Sequence, residues 1–279
     1  MTRAEQQQKA ETLLALHHAS ELLVLPNIWD PLGARMLQRL GYPAVAIASA
    51  AVAFSLGYDD GQNISLDAML DAVRRIAESV DLPVTADMER GYGEQPGEVA
   101  ENMRRVLQAG AAGINLEDST VEGGPLHAIE FQCDRISAVR AMAEQEDIPL
   151  VINARTDVFI GGFDGDHEAR ITETIRRGKA YFDAGADCFY PILAGDIETL
   201  KTIHDALQAP INVLALGNTA PMRDLEAIGI SRLSLGPGMI KAGLTVMKTI
   251  AEELQQYGSY DLFTKDAIDS DTVRTYLKG

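Results

Sequence analysis

Short apolar runs alternate along this chain with longer segments whose apolar residues return at helical spacing. A leading helix over residues 1–21 carries Leu13, Leu14 and Leu16 as its apolar positions. Leu22-Leu-Val-Leu-Pro26 then reads as a buried strand, and a helix over 31–40 stops at Gly41, a residue suited to helix ends. A second strand, Ala44-Val-Ala-Ile-Ala-Ser49, runs into a long small-residue segment that lasts to Asn63. Ser65 is placed to cap a helix over 66–80, in which Leu66, Met69, Leu70, Val73 and Ile76 keep one face. The same unit then recurs. Strands at 82–87, 113–116, 149–154, 188–192, 210–214 and 231–236 are each followed by a helix, at 97–108, about 130–145, 167–183, 196–207, 221–228 and 238–257. A polar tail closes the chain.

Such alternation predicts parallel strands joined by helical crossovers, and eight units in roughly 250 residues predict a closed (β/α)8 TIM barrel. One domain spanning 1–279 is expected, with no internal linker. A doubly wound open sheet is the rival, but Asn27-Ile-Trp-Asp30 after the first strand offers no glycine-rich dinucleotide fingerprint.

Composition narrows the function classes. The net charge of −17 argues against nucleic acid or an anionic membrane surface as partner. Two cysteines, Cys133 and Cys188, make no disulfide scaffold and suit a reducing compartment. The first twenty residues are polar and mixed in charge, unlike a secretory signal, and no apolar run approaches the roughly 20 residues of a membrane span. A soluble cytoplasmic protein is expected.

Candidate chemistry gathers at the predicted C-terminal ends of the strands, where barrels place their sites. The third strand leads into Thr85-Ala-Asp-Met-Glu-Arg-Gly-Tyr-Gly93, whose Asp87 and Glu89 share a face at a period of two. Glu117 and Asp118 end the fourth strand, and Arg155 and Asp157 the fifth. The five histidines fall on helices or loops, and no cluster has zinc spacing. A cation held by carboxylates and water should be hard, so Mg2+ or Mn2+. No lysine ends a strand, which disfavours a Schiff base. The Arg155 fork suits a carboxylate or phosphoryl group; a salt bridge to Asp157 or a site acid is the alternative. Together these groups suit a small 2-oxo acid that forms an enolate.

The segments Pro26-Asn-Ile-Trp-Asp30, Ser49-Ala-Ala with Ser55-Leu-Gly-Tyr-Asp-Asp60, Ala86-Asp-Met-Glu-Arg-Gly-Tyr-Gly93, Gly113-Ile-Asn-Leu-Glu-Asp118, Ile152-Asn-Ala-Arg-Thr-Asp157 and Ser231-Arg-Leu-Ser-Leu-Gly236 resemble the isocitrate lyase/phosphoenolpyruvate mutase superfamily over most of the chain. The resemblance implies Mg2+-dependent cleavage or formation of C–C or P–C bonds in 2-oxo acids. It also implies a homo-oligomer, dimer or tetramer, whose C-terminal helix packs on a neighbour. Asp87, Glu89 and Glu117 match the metal-site acids, with Glu89 where aspartate is more usual. Asp60 matches a loop acid near the metal, with a catalytic role. Trp29, Ser49, Ala50, Ala51, Arg155 and Asn212 match substrate-binding positions, with Ala50 where glycine is usual.

One loop departs from the pattern. The lyases carry Lys-[Lys/Arg]-Cys-Gly-His after the fourth strand, with the cysteine as acid/base. This chain reads Ser119-Thr-Val-Glu-Gly-Gly-Pro-Leu-His-Ala128, and Cys133, further on, reads as packing. Gly123 and Gly124 suit a lid, with Thr120, Glu122 or His127 as its working residue. Three functions remain open: a C–C lyase or decarboxylase, or a related phosphonomutase; a barrel holding a phosphorylated substrate at Leu235-Gly-Pro-Gly238; and a non-catalytic binding barrel.

Overall fold

In the computed structural model, which describes residues 1–121, 123–265 and 267–278, parallel strands form one ring. The first strand, β1, runs over Leu23–Leu25 and resumes at Asn27–Ile28. Pro26 between them has no N–H to give the ladder, so β1 pairs with the last strand below the break and the second strand above it. The others are β2 (Val45–Ile47), β3 (Val84–Asp87), β4 (Gly113–Glu117), β5 (Val151–Thr156), β6 (Cys188–Pro191), β7 (Asn212–Leu214) and β8 (Arg232–Ser234). They pair in chain order. The Phe189–Ile211 bridge between β6 and β7, and the pairing of β8 with both β7 and β1, close the barrel.

Helices cover the outside. They are α1 (Arg3–His17), α2 (Pro31–Arg39), α3 (Ser49–Ser55), α4 (Leu66–Ser79), α5 (Pro96–Gln108), α6 (Ile129–Gln145), α7 (His167–Asp183), α8 (Ile197–Leu207), α9 (Met222–Ala227), α10 (Gly238–Tyr257), α11 (Asp261–Lys265) and α12 (Ser270–Leu277). Ser65 caps α4 as expected, its side chain accepting from Ala68 N at 3.2 Å. Outward strand residues such as Ile114, Leu116, Ile152, Ala154, Phe189 and Val213 are fully buried. Their inward neighbours are polar: Asn115, Asn153, Asn212 and Arg232 fill the barrel instead of branched aliphatics.

Three expectations are corrected. The leading helix does not bury Leu14 or Leu16 fully; its inner stripe is Gln6, Ala10, Leu13 and His17, at helical spacing, with Leu13 against Gly113 on β4. Polar Gln6 hides there because it donates to Ala111 O at 3.0 Å, which hydropathy alone could not reveal. The small-residue segment after β2 contains α3, an alanine-rich turn of helix whose burial comes from packing rather than amphipathic spacing. The polar tail also folds: Asp269 caps α12, which lies on α2, where Arg39 donates to Lys278 O at 2.6 Å.

Leu13 closes the bottom of the barrel with no exposed surface. Its replacement by alanine is expected to lower unfolding free energy by about 2–5 kcal/mol, as for other buried leucines. Urea denaturation measures this, and a loss below about 1 kcal/mol would show that α1 does not seal the core.

Candidate active site

The β4–β5 register builds the centre of the site. Glu117 stands beside Arg155, and Asp87 on β3 beside Asn115. Period-two alternation therefore turns Asp87, Asn115, Glu117, Arg155 and Tyr190 into one C-terminal mouth. There they line a cavity of about 180 Å³, together with Asn27, Ser49, Ala50, Asp60, Glu89 and Arg90.

Glu89 reaches the cavity through backbone strain. It, Gln62 and Tyr92 adopt left-handed φ values of 49°, 60° and 55°, which cost a side-chain-bearing residue about 1–3 kcal/mol each. Cross-links hold the turn: Arg90 Nη2 donates to Gly61 O at 2.9 Å, and Tyr92 N to Gln62 Oε1 at 3.0 Å. The same links tie in the loop carrying Asp60. Ser49 Oγ donates to Asp87 Oδ2 at 2.8 Å, so Ser49 orients an acid as well as lining the wall.

Arg155 is more committed than its position suggested. Nε and Nη2 donate to both oxygens of Asp157, at 2.7 and 3.2 Å, while Nη1 donates to Glu117 at 2.5 Å. Three of its five N–H groups are spent, leaving two for a ligand. Both alternatives read from the sequence, the salt bridge to Asp157 and that to a site acid, are present. Burial opposes the Arg155 charge, but Glu117 and Asp157 outweigh it and hold its pKa up. Burial also works against a charged Glu117, yet the 2.5 Å contact is that of an ionised pair. Glu89 has no such partner, and burial, then Asp87 and Asp60, push its carboxyl up to about 8.

Other expected site residues lie elsewhere. Asn212 is fully buried below the cavity, accepting from Ser234 Oγ at 3.1 Å. Trp29 and Ala51 pack with Ala48 and Ile240 behind the Ser49 wall. Thr120 is exposed and spends its hydroxyl on Pro125 O at 2.9 Å, across the small hairpin closed by Ser119 and Leu126. With His127 it borders an outer groove rather than the acids; Glu122 lies outside the described residues. Cys133 donates to Ala180 O between α6 and α7, away from the mouth. The amides of Leu235 and Gly236, proposed donors to a phosphate, are taken by Asn27 Oδ1 at 2.8 and 3.0 Å.

Sequence reasoning missed Asn115, Arg90, Ile160, Tyr190 and Ile192 as lining residues. Asn115 and Tyr190 could have been found, since each shares strand parity with an inward position, Glu117 and Cys188. Asp118, read from the sequence only as a strand-end acid, has a larger part. Fully buried, Asp118 accepts from Thr156 Oγ1 at 2.7 Å, Tyr181 OH at 2.7 Å, Asp157 N at 2.9 Å and Arg177 at 3.0 Å. This knot fixes the segment that presents Asp157 to Arg155.

A closed parallel barrel with charged side chains converging on its C-terminal mouth has the layout of the TIM-barrel enzymes, whose sites lie at that face. A model of the phosphoenolpyruvate phosphomutase family matches residues 13–255. The 2-methylisocitrate lyase of Escherichia coli K12 is 32% identical over 253 residues, 88% of this chain and 82% of that enzyme. A solved structure from Burkholderia cenocepacia J2315, assigned as a lyase/mutase, superposes with TM-score 0.91 at 33% identity, covering 99% of this chain and 98% of that one. Oxaloacetate acetylhydrolase, solved with its product oxalate, gives TM-score 0.83 at 25% identity over 96% and 93% of the two chains. The chain belongs to the phosphoenolpyruvate mutase/isocitrate lyase superfamily.

Two outcomes follow from the burial. In metal-free protein Glu89 keeps its proton to about pH 8 when folded, but only to about its ordinary 4.5 when unfolded. The folded state binds more protons across that window, so stability falls as pH rises through it. Denaturant midpoints taken between about pH 5 and 8 should slope downward more steeply in the native chain than in Glu89→Gln; equal slopes contradict the assignment. Asp118→Ala removes the buried acceptor shared by Thr156, Tyr181 and Asp157 N and breaks one of Arg177's two ion pairs, the other being to Glu173, and is expected to cost about 3–5 kcal/mol. A melting temperature within about 2 °C of the native chain would refute that knot.

Proposed function

We propose that this protein is a divalent-metal-dependent enzyme that cleaves or forms a C–C bond in a small 2-oxo carboxylate. The observation that carries the reading is the meeting of Asp60, Asp87, Glu89 and Glu117 with Arg155 around one cavity. The phosphoenolpyruvate phosphomutase match supports a second reading, P–C chemistry on the same frame.

The donor set suits Mg2+ or Mn2+. Four acids and two arginines line the cavity, so ionised side chains leave it short of positive charge. Among the described residues no group of three or more His, Cys, Asp or Glu side chains is placed to hold a metal ion; a cation here would be held by one or two carboxylates and its own waters. Asp87, Glu89 and Glu117 are the proposed holders, with Asp60 beside them. When bound, the cation would polarise the 2-oxo group and offset the negative charge of an enolate.

The chain's own groups do the positioning. Ser49 fixes the Asp87 carboxylate, and the Glu117–Arg155 pair keeps one acid ionised. Arg155, with two N–H groups not spent on Glu117 or Asp157, and Tyr190 line the proposed substrate volume. Thr120 and His127 border the outer groove, so neither acts as acid/base in this arrangement.

A homo-oligomer, dimer or tetramer, is part of the proposal. Along α10 only Ile240 is buried, while Leu244, Val246, Met247 and Leu254 are each about half exposed or more. Such a face suits a second copy of the chain. No described helix is long and apolar enough to cross a membrane.

Asp87→Asn is expected to weaken Mg2+ binding at least about tenfold in calorimetry and to remove most Mg2+-dependent turnover of 2-oxo acids. Native-like affinity in the variant would count against the assignment. Sedimentation should give a dimer or tetramer mass at micromolar concentration, whereas a monomer mass speaks against the α10 interface.

A further inference from the structure

The cavity has two chemically different arcs. Strands β2 to β4 and their loops contribute Ser49, Asp60, Asp87, Glu89, Arg90 and Glu117. The loops and ends following β5, β6 and β7 contribute Ile160, Ile192 and Leu214, with Pro237 closing the arc after β8; Tyr190 and Ser234, the polar lining residues of β6 and β8, carry no charge there. Ile192 is 8% exposed, and Ile160 and Leu214 are half-buried, so their remaining surface is available to the cavity.

From these arcs we infer the substrate class within the proposed function: a 2-oxo monocarboxylate whose distal end is apolar. The inference rests on the 2-oxo-acid reading and adds what lies beyond the reacting carbons. Only two cations line the cavity, Arg90 and Arg155. Arg155 has one terminal nitrogen on Glu117 and its other edge on Asp157, and Arg90 sits on the acidic side, bonded to Gly61 O beside Glu89. Neither comes from the segments that carry Ile192 and Leu214. A second substrate carboxylate lying there would be desolvated against isoleucine and leucine with no charged partner, an unfavourable burial. It would also add negative charge to a cavity with four acids. An alkyl end instead loses water from both itself and the wall, which favours it. Ile160, Ile192 and Leu214 are thus the specificity-determining residues, and Ile160 rides on Val158–Gly162, a wide turn interrupted at Gly161 (φ 145°).

A matched pair of acids tests this. 2-Oxopentanoate and 2-oxoglutarate share a five-carbon chain and differ only in a terminal methyl against a carboxylate. Titrated into the native oligomer with saturating Mg2+, 2-oxopentanoate is expected to bind at least tenfold more tightly. Ile192→Arg should reverse that order, and Leu214→Arg, read beside a thermal melt, serves if the first variant does not fold. Equal or tighter binding of 2-oxoglutarate to the native protein overturns the apolar end while leaving the 2-oxo-acid reading intact. If neither acid binds, both fail together.

Discussion

Glu117 and Arg155 meet because β4 and β5 are in a register that sets them side by side, and Asp157 holds the arginine from its other edge. Removing three such charges from water is costly unless each is paired, and among the charged residues described at the mouth these three pair with one another. Asp87 and Glu89 share the cavity without a comparable cation. The fold therefore concentrates negative charge at one mouth and neutralises only part of it. Strain at Glu89, the cross-linked turns at Gln62 and Tyr92, and the Asp118 knot all serve to keep that concentration in place. The remaining charge there is what the proposed cation site rests on.

Much of this architecture could be read from the chain. Strand and helix order followed from the alternation of apolar runs with helical spacing, and the acids Asp87, Glu89 and Glu117 followed from their place at strand ends. What could not be read was mostly a matter of tertiary pairing. Gln6 faces inward because a backbone carbonyl waits for it, α3 is helical because small residues pack closely there, and Asp118 is buried because four donors surround it. Arg155 illustrates the limit well. Its residue type announced a fork, but only the β4–β5 register shows how much of that fork the protein itself consumes. Thr120 fails for a related reason: the loop closes on itself and occupies the hydroxyl that a lid residue would have offered.

The two arcs of the cavity extend the same logic to specificity. Charged arms arrive from β2 to β4 and aliphatic ones from the segments after β5 to β7, and the proposed sorting of a ligand end from end rests on that difference. The lyase loop with its cysteine is absent, and the hairpin at 119–128 turns toward an outer groove. The proposed chemistry therefore rests on the mouth of the barrel rather than on a lid. The exposed apolar residues on α10 are the feature on which the proposed oligomer rests.

A crystal soaked in Mn2+ and measured at the manganese absorption edge tests the central claim most directly. The account predicts one anomalous peak within reach of Asp87, Glu89 and Glu117, bonded to at least one of their carboxylates and otherwise to water. A cavity without a peak at saturating Mn2+, or an ion bound only outside the mouth, would contradict it.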